Sequence, residues 1–159
     1  MRRAILLLLV LVSVPTFADK TRHSFDVSVP RGHVKRVVVD IPAADVEIRN
    51  GASDRLSASG YVERETGDAT TVEISVNNDE AVVRRKGPSS WRTMNGYSVK
   101  LEVPAGTNID LQTRFGDVSI DGTFGDVDVD LRAGDINVRL PKKDVRVLNA
   151  SAAVGTVRT

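Results

Sequence analysis

The sequence predicts an all-β protein, a β-solenoid of about seven short coils with little or no helix after residue 18. Three observations predict this class. Valine and other aliphatic residues recur at every second position, turn-forming residues separate these runs, and the last third of the chain repeats. The sequence contains no sustained 3.6-residue apolar period of the kind that predicts a helix.

The first element is a signal peptide at residues 1–18. Arg2 and Arg3 provide a positive start, and an apolar run with one serine, Ser13, follows at residues 4–14. Pro15 ends the run, and Ala18 is a small residue suited to the cleavage position. The run is too short for a membrane anchor, since a spanning helix needs about 20 residues. We therefore expect export and cleavage after Ala18.

The composition restricts the cellular compartments and the kinds of chemical site that are possible for this protein. The chain has 159 residues and no cysteine, which excludes disulfides, thiolate zinc sites, thiol catalysis and a lipid-bearing cysteine. An exported chain without disulfides is typical of bacteria. With 22 basic and 21 acidic side chains, the chain has no electrostatic reason to bind nucleic acid. We expect a protein of the bacterial periplasm, cell surface or medium, with no membrane span after cleavage.

The strand pattern extends through residues 19–159, which we interpret as a single domain. Apolar and polar residues alternate most clearly in four runs, at residues 37–41, 46–48, 72–76 and 99–103. Between such runs lie residues that tolerate tight or positive-φ turns, among them Asn50-Gly51, Asn95-Gly96 and Pro104-Ala105-Gly106. Alternation of this kind is typical of strands with one buried and one solvated face.

The C-terminal third contains three similar segments, at residues 115–120, 124–129 and 133–138, each with a Gly-Asp pair. Successive pairs are nine residues apart. At an offset of eighteen, residues 111–120 match residues 129–138, and Val127 and Val129 align with Val145 and Val147. A fixed period predicts coils of two short strands that stack similar aliphatic residues on one another.

These segments resemble the bacterial "putative adhesin" domain family, whose function is unknown. The resemblance is carried by Val103-Pro104-Ala105-Gly106 and the Gly-Asp-Val-type units up to Val138, within the clearest repeats at residues 99–158. It implies an exported, right-handed, single-stranded β-helix. The family has no established catalytic residues or cofactor. The resemblance therefore implies a protein that is not an enzyme, and it assigns no catalytic residue and no cofactor to this sequence.

Asp126, Asp128 and Asp130 alternate along one predicted strand and are candidate binding residues. Residues two apart on a strand lie about 6.6 Å from each other, close to the carboxyl spacing of inverting glycosidases. One alternative is therefore a polysaccharide-active enzyme. An ordinary solvated strand face shows the same alternation, which favours binding over catalysis.

The nine-residue Gly-Asp spacing also invites comparison with calcium-binding nonapeptide repeats. Those repeats need several glycines in each unit, and this sequence has one. We expect glycine at the strained corner, aspartate capping the turn, and no metal site.

The longest stretch without periodicity runs from residue 86 to 97. It contains Trp91, Arg92 and Tyr97, residue types that are frequent in binding interfaces. We name all three as candidate binding residues, with a second reading in which Trp91 covers the core.

The sequence thus favours a non-catalytic, adhesin-like binding protein of the cell envelope with an envelope protein or a glycan as partner. A periplasmic scaffold or envelope-stress component is the alternative within the binding class. Residues 154–159 continue the strand pattern without a capping element, so we expect end-to-end self-association through the C-terminal coil.

Overall fold

The structure is a computed structural model that describes residues 21–64, 71–87, 94–143 and 146–159. The predicted signal peptide lies outside these ranges. The described residues form β-strands and no helix, which confirms the all-β prediction. The strands are β1 (Thr21–Pro30), β2 (Arg36–Asp40), β3 (Asp45–Asn50), β4 (Arg55–Arg64), β5 (Thr71–Asn77), β6 (Glu80–Lys86), β7 (Met94–Val103), β8 (Asn108–Phe115), β9 (Val118–Asp121), β10 (Val127–Ala133), β11 (Ile136–Arg139), β12 (Leu148–Val154) and β13 (Val157–Arg158).

Two mixed sheets contain these strands. The seven-stranded sheet has the order β1-β4-β7-β3-β9-β11-β13, and the six-stranded sheet has the order β12-β10-β8-β2-β6-β5. From β8 onward, successive strands alternate between the two sheets. Each strand then pairs in parallel with the strand two elements along the chain.

The parallel region places equivalent residues opposite one another. Ile109 pairs with Val127 in the six-stranded sheet, and Val118 pairs with Ile136 in the seven-stranded sheet. Both pairs are eighteen residues apart, the offset that the sequence shows. Stacking of like aliphatic residues keeps the buried face of each new strand in register with the last.

The described structure does not show a single-stranded β-helix of about seven coils across residues 19–159. In the N-terminal part, β1, β4 and β7 pair antiparallel, and so do β5 and β6. The turn at residues 78–79 returns β6 beside β5 in the same sheet, as a two-residue hairpin allows. β1, β4 and β7 pair although other strands separate them in the chain, so this part of the fold does not wind as successive coils.

The alignment of Val127 with Val145 and of Val129 with Val147 is wrong. Val127 pairs with Leu148 and Val129 with Ala150, a step of twenty-one residues. The segment between β11 and β12, residues 140–147, includes a turn at Lys142 and Lys143. It is three residues longer than the equivalent segment between β9 and β10, residues 122–126. The aliphatic period therefore shifts before β12.

One hydrophobic core lies under the inward faces of both sheets. Val127 and Val129 of β10 are at most 1% exposed, whereas Asp128 and Asp130 between and after them are exposed. Each buried aliphatic side chain of this size stabilises the fold by about 1.5–3 kcal/mol. The core is mainly aliphatic, as the scarcity of aromatic residues predicts.

The Gly-Asp units mark the places where the chain crosses between sheets. Gly116 and Gly134 have φ values of 118° and 140°, and a Cβ on Gly134 would lie 2.0 Å from the carbonyl oxygen of Gly116. Asp117 Oδ1 accepts a hydrogen bond from the Asp135 amide at 2.9 Å. The aspartate therefore joins two stacked turns, instead of capping only its own turn.

The middle unit has a different role. Gly125-Asp126 lies where the chain returns from β9 to β10, and there the Asp126 amide donates to Asn108 Oδ1 at 2.9 Å. The nine-residue spacing thus separates successive crossings between the two sheets, and the eighteen-residue spacing separates alternate crossings, which stack on one another.

Candidate functional site

Trp91 and Arg92 lie outside the described residues. Tyr97 belongs to β7 and is 6% exposed, so its ring is part of the core. Its ring meets Phe25 edge to face, with centroids 6.1 Å apart, and its hydroxyl donates to the Thr71 carbonyl at 3.4 Å. Burial raises the pKa of Tyr97 far above its usual value, an effect that the nearby Arg85 charge partly opposes.

Asp126, Asp128 and Asp130 are brought together on the outer face of the six-stranded sheet. Asp128 and Asp130 project outward from β10, and Asp126 immediately precedes that strand. Asp126 lies 3.9 Å from the Arg146 guanidinium, and Asp130 accepts a hydrogen bond from the Ser151 hydroxyl at 3.2 Å.

The neighbouring strands extend these positions into rows of polar side chains. Asp128 lies opposite Asp110 on β8 and Asn149 on β12. Asp130 lies opposite Gln112 on β8 and Ser151 on β12. Because period-two alternation is continued across three paired strands, the outer face presents carboxylate, amide and hydroxyl groups side by side.

Two shallow depressions lie on this face. One has a volume of about 230 Å³ and includes Arg36, Asp110, Asp126, Asp128 and Asn149. Arg36 of β2 forms an ion pair with Asp110 of the adjacent strand β8. Ile109, Val127 and Val147 also line the depression, so polar and apolar groups both contribute to it, and arginines partly neutralise its carboxylates.

The second depression, with a volume of about 250 Å³, is lined by Asp40, Pro42, Gln112, Arg114, Asp130 and Arg132, together with Thr113. Both depressions lie below the usual size of pockets for drug-sized ligands, about 300–1,000 Å³.

Arg114 and Arg132 were not among the residues that the sequence predicted for a site. The signal was present, because the eighteen-residue offset aligns Arg114 with Arg132. In the structure, the pairs Thr113–Leu131 and Phe115–Ala133 flank them, so the two arginines are neighbours on adjacent strands.

The described residues contain no group of three or more His, Cys, Asp or Glu side chains that could hold a metal ion. The carboxylate of Asp117 faces the next turn, where its Oδ1 accepts the Asp135 amide. Asp135 Oδ1 accepts the amide and hydroxyl of Thr156 at 2.9 and 2.8 Å. The Gly-Asp carboxylates on this side thus make hydrogen bonds within the fold.

The same part of the chain contains no helix long and apolar enough to cross a bilayer. Fold and site together define a two-sheet, all-β protein with an open polar sheet face.

The fold is similar to that of solved bacterial structures. A putative cell adhesion protein from Clostridium sporogenes matches with a TM-score of 0.53 and 10% identity, over 86% of this chain and 98% of that chain. A putative adhesin from Parabacteroides distasonis matches with a TM-score of 0.40 and 12% identity, over 88% of this chain and 83% of that chain. At 10% identity, the first likeness shows a shared fold and nothing more specific.

Comparison with protein-family models gave no match, and comparison with curated proteins gave none either.

Proposed function

We propose that this protein is an exported, non-catalytic binding protein of the bacterial cell envelope, and that the outer face of the six-stranded sheet binds a glycan. One observation carries the proposal: carboxylate, amide, hydroxyl and guanidinium groups lie in register on this face around two shallow depressions. Such groups suit hydroxyl-rich ligands, which need many hydrogen-bond donors and acceptors on an open surface.

The fold supports this role by making the face rigid. We infer that β8 to β13 are successive coils of a right-handed β-helix that holds the polar rows at the spacing of the strands, about 4.8 Å. Binding side chains on paired strands are positioned more firmly than side chains on loops. The adhesin-like fold neighbour from C. sporogenes is consistent with a binding role.

Binding to a panel of immobilised bacterial and host polysaccharides tests the proposal. We expect the purified chain from residue 19 to bind at least one of them. A double substitution, Asp128→Asn with Asp130→Asn, should weaken that binding by about tenfold or more, since it removes two charged acceptors. The matched control is Asp121→Asn, which makes the same change on β9 of the other sheet and should leave binding unchanged.

The same panel separates the rival functions. If the wild-type protein shortens a polysaccharide and the double variant does not, the enzyme alternative is correct. If no polysaccharide is bound, the glycan proposal fails and an envelope protein becomes the partner to seek by crosslinking.

The predicted signal peptide carries the proposal of export. An epitope tag in the connection between β6 and β7, followed by protease treatment of intact cells, separates the cell surface from the periplasm. Loss of the tag from intact cells places the protein on the surface. Protection until the envelope is permeabilised favours the periplasmic scaffold.

We further propose that a second copy of the chain is a partner at the edge of β12. The seven residues of β12 carry no charge, and β12 is the terminal strand in the order of the six-stranded sheet. Exposed edge strands without charge or proline are prone to pair with another strand.

A further inference from the structure

We propose that Arg114 and Arg132 form an anion subsite that binds the carboxylate of an acidic sugar unit. This inference rests on the proposed glycan-binding role of the same sheet face, and it specifies the class of glycan. Three features of the two arginines support an anion subsite: their register, their lack of carboxylate partners and the groups beside them.

The register brings two like charges together. Arg114 on β8 and Arg132 on β10 occupy directly opposed positions between the pairs Thr113–Leu131 and Phe115–Ala133. Both side chains are exposed and line the larger of the two depressions. Like charges directly opposite each other on paired strands destabilise a sheet, so packing gives no reason for this arrangement.

The other arginines around the depressions have carboxylate partners. Arg36 pairs with Asp110, Arg84 lies 4.0 Å from Asp40, and Arg146 lies 3.9 Å from Asp126. Within the described residues, neither Arg114 nor Arg132 has a carboxylate within 4.0 Å. Two adjacent guanidinium groups without a counter-charge form a site for an external anion, because each can donate a forked pair of hydrogen bonds to a carboxylate.

The adjacent row specifies what the anion is attached to. Gln112 and Asp130 lie opposite each other, and each precedes an arginine of its own strand by two residues. Asp40 of β2 lies opposite Gln112 on its other side and also lines the depression. The carboxylates accept hydrogen bonds from hydroxyls, and the glutamine amide both accepts and donates them. The two carboxylates disfavour a second anionic group on the same sugar unit, so the subsite takes one anionic group on each hydroxyl-rich ring.

The ligand class that fits is a uronic acid or another carboxylated sugar within a polysaccharide. Pro42 adds a half-buried apolar surface at the edge of the depression. The depression has a volume of about 250 Å³, below that of pockets for drug-sized ligands, so we assign one sugar unit to the subsite.

Calorimetric titration of the purified chain with an oligogalacturonate tests the inference. The carboxyl-reduced form of the same oligomer and a sulfated neutral oligomer are the comparison ligands. Arg114→Gln and Arg132→Gln should each weaken oligogalacturonate binding by about tenfold, because each removes one charged donor pair. Arg139→Gln, which removes an exposed arginine from β11 on the other sheet, is the matched control and should change binding less than about twofold.

A melting curve of each variant separates a ligand-binding role from a structural one. If the pair exists to bind an anion, either single substitution relieves like-charge repulsion and the melting temperature stays the same or rises. A fall in melting temperature for both variants would show that the arginines stabilise the fold, and would overturn the inference.

The outcomes also distinguish this inference from the proposed function. Equal binding of the oligogalacturonate and its reduced form, unaffected by the arginine substitutions, leaves glycan binding intact and overturns the anion subsite. Tighter binding of the sulfated oligomer than of the oligogalacturonate would overturn the carboxylate specificity and show that the arginine pair selects a sulfate. If the wild type binds none of the three oligomers, the anion subsite is overturned, whereas the proposed function falls only if the wider polysaccharide panel also gives no binding.

Discussion

At the scale of single residues, Asp135 connects two turns through one carboxylate oxygen. Its Oδ1 accepts the hydroxyl of Thr156 at 2.8 Å and the amide of Thr156 at 2.9 Å. These hydrogen bonds, first from the side chain and then from the backbone, lower the pKa of Asp135 below its usual value. The folded state therefore favours the ionised carboxylate more than the unfolded state does.

This shift predicts a dependence of stability on pH. Because the pKa of Asp135 is lower in the folded state, its contribution is fully present above the unfolded pKa of about 3.9 and is lost as the pH falls through the folded pKa. We expect wild type to melt at a higher temperature than Asp135→Asn near neutral pH, and the difference to shrink below about pH 4. Asp128→Asn, the same substitution on β10, is the control. The prediction is contradicted if the difference in melting temperature between wild type and Asp135→Asn stays constant across pH.

Residue roles were only partly predictable from the sequence. The alternation of Asp126, Asp128 and Asp130 with valine was enough to place them on one face, because a strand has a period of two. The sequence predicts Tyr97 as a binding residue in a stretch without periodicity, yet Tyr97 is a core residue, because its neighbours in space come from β1 and β5, far away in sequence. Arg114 and Arg132 become a pair through strand pairing, which the eighteen-residue offset indicates and composition alone does not.

At the scale of structural elements, the stacked glycine corners limit substitution. Gly134 has a φ of 140°, and an added Cβ would meet the Gly116 carbonyl oxygen at 2.0 Å. We expect Gly134→Ala to lower the free energy of unfolding by more than about 3 kcal/mol, because backbone strain and a backbone clash act together. Urea denaturation measures this change.

Gly32 provides the matched control, because it also has a positive φ, 53°, but no atom lies within 4 Å of its added Cβ. Gly32→Ala should cost about 1–2 kcal/mol from backbone conformation alone. Equal effects for the two substitutions would show that stacking at Gly134 is not what excludes a side chain.

The strands themselves were predictable, but their pairing was predictable only where the chain repeats. Alternation shows which face of a strand is buried, and it contains no information on which strand lies alongside. For β8 to β11, matching residues eighteen apart indicated the partner, since like side chains stack in register. For β1, β4 and β7, no repeat exists to identify the antiparallel partners.

At the scale of the whole molecule, the two ends of the sheets differ in charge. The edge strand β1 carries Arg22 and Asp26, and the edge strand β5 carries Glu73, which lies 3.9 Å from Lys86 on β6. At the other end, β13 carries Arg158, whereas β12 carries no charge. Val147 precedes β12 and is 47% exposed, and Val154, its last residue, is 69% exposed. This difference in charge disfavours a contact between the two unlike ends of neighbouring copies. It favours a contact between β12 of one copy and β12 of another.

A two-fold antiparallel pair of β12 strands satisfies this geometry. With its axis at Ser151, each inward-facing residue lies opposite another inward-facing residue, so both cores extend across the contact. We expect the sedimentation coefficient of the wild type to rise with concentration toward that of a dimer. Ala153→Lys places a charge at an exposed position of β12 and should keep the protein monomeric, because a charged edge resists pairing. Ser75→Lys makes a comparable change on β5 and should dimerise like the wild type, whereas a wild type that stays monomeric at every concentration would rule out the paired edge.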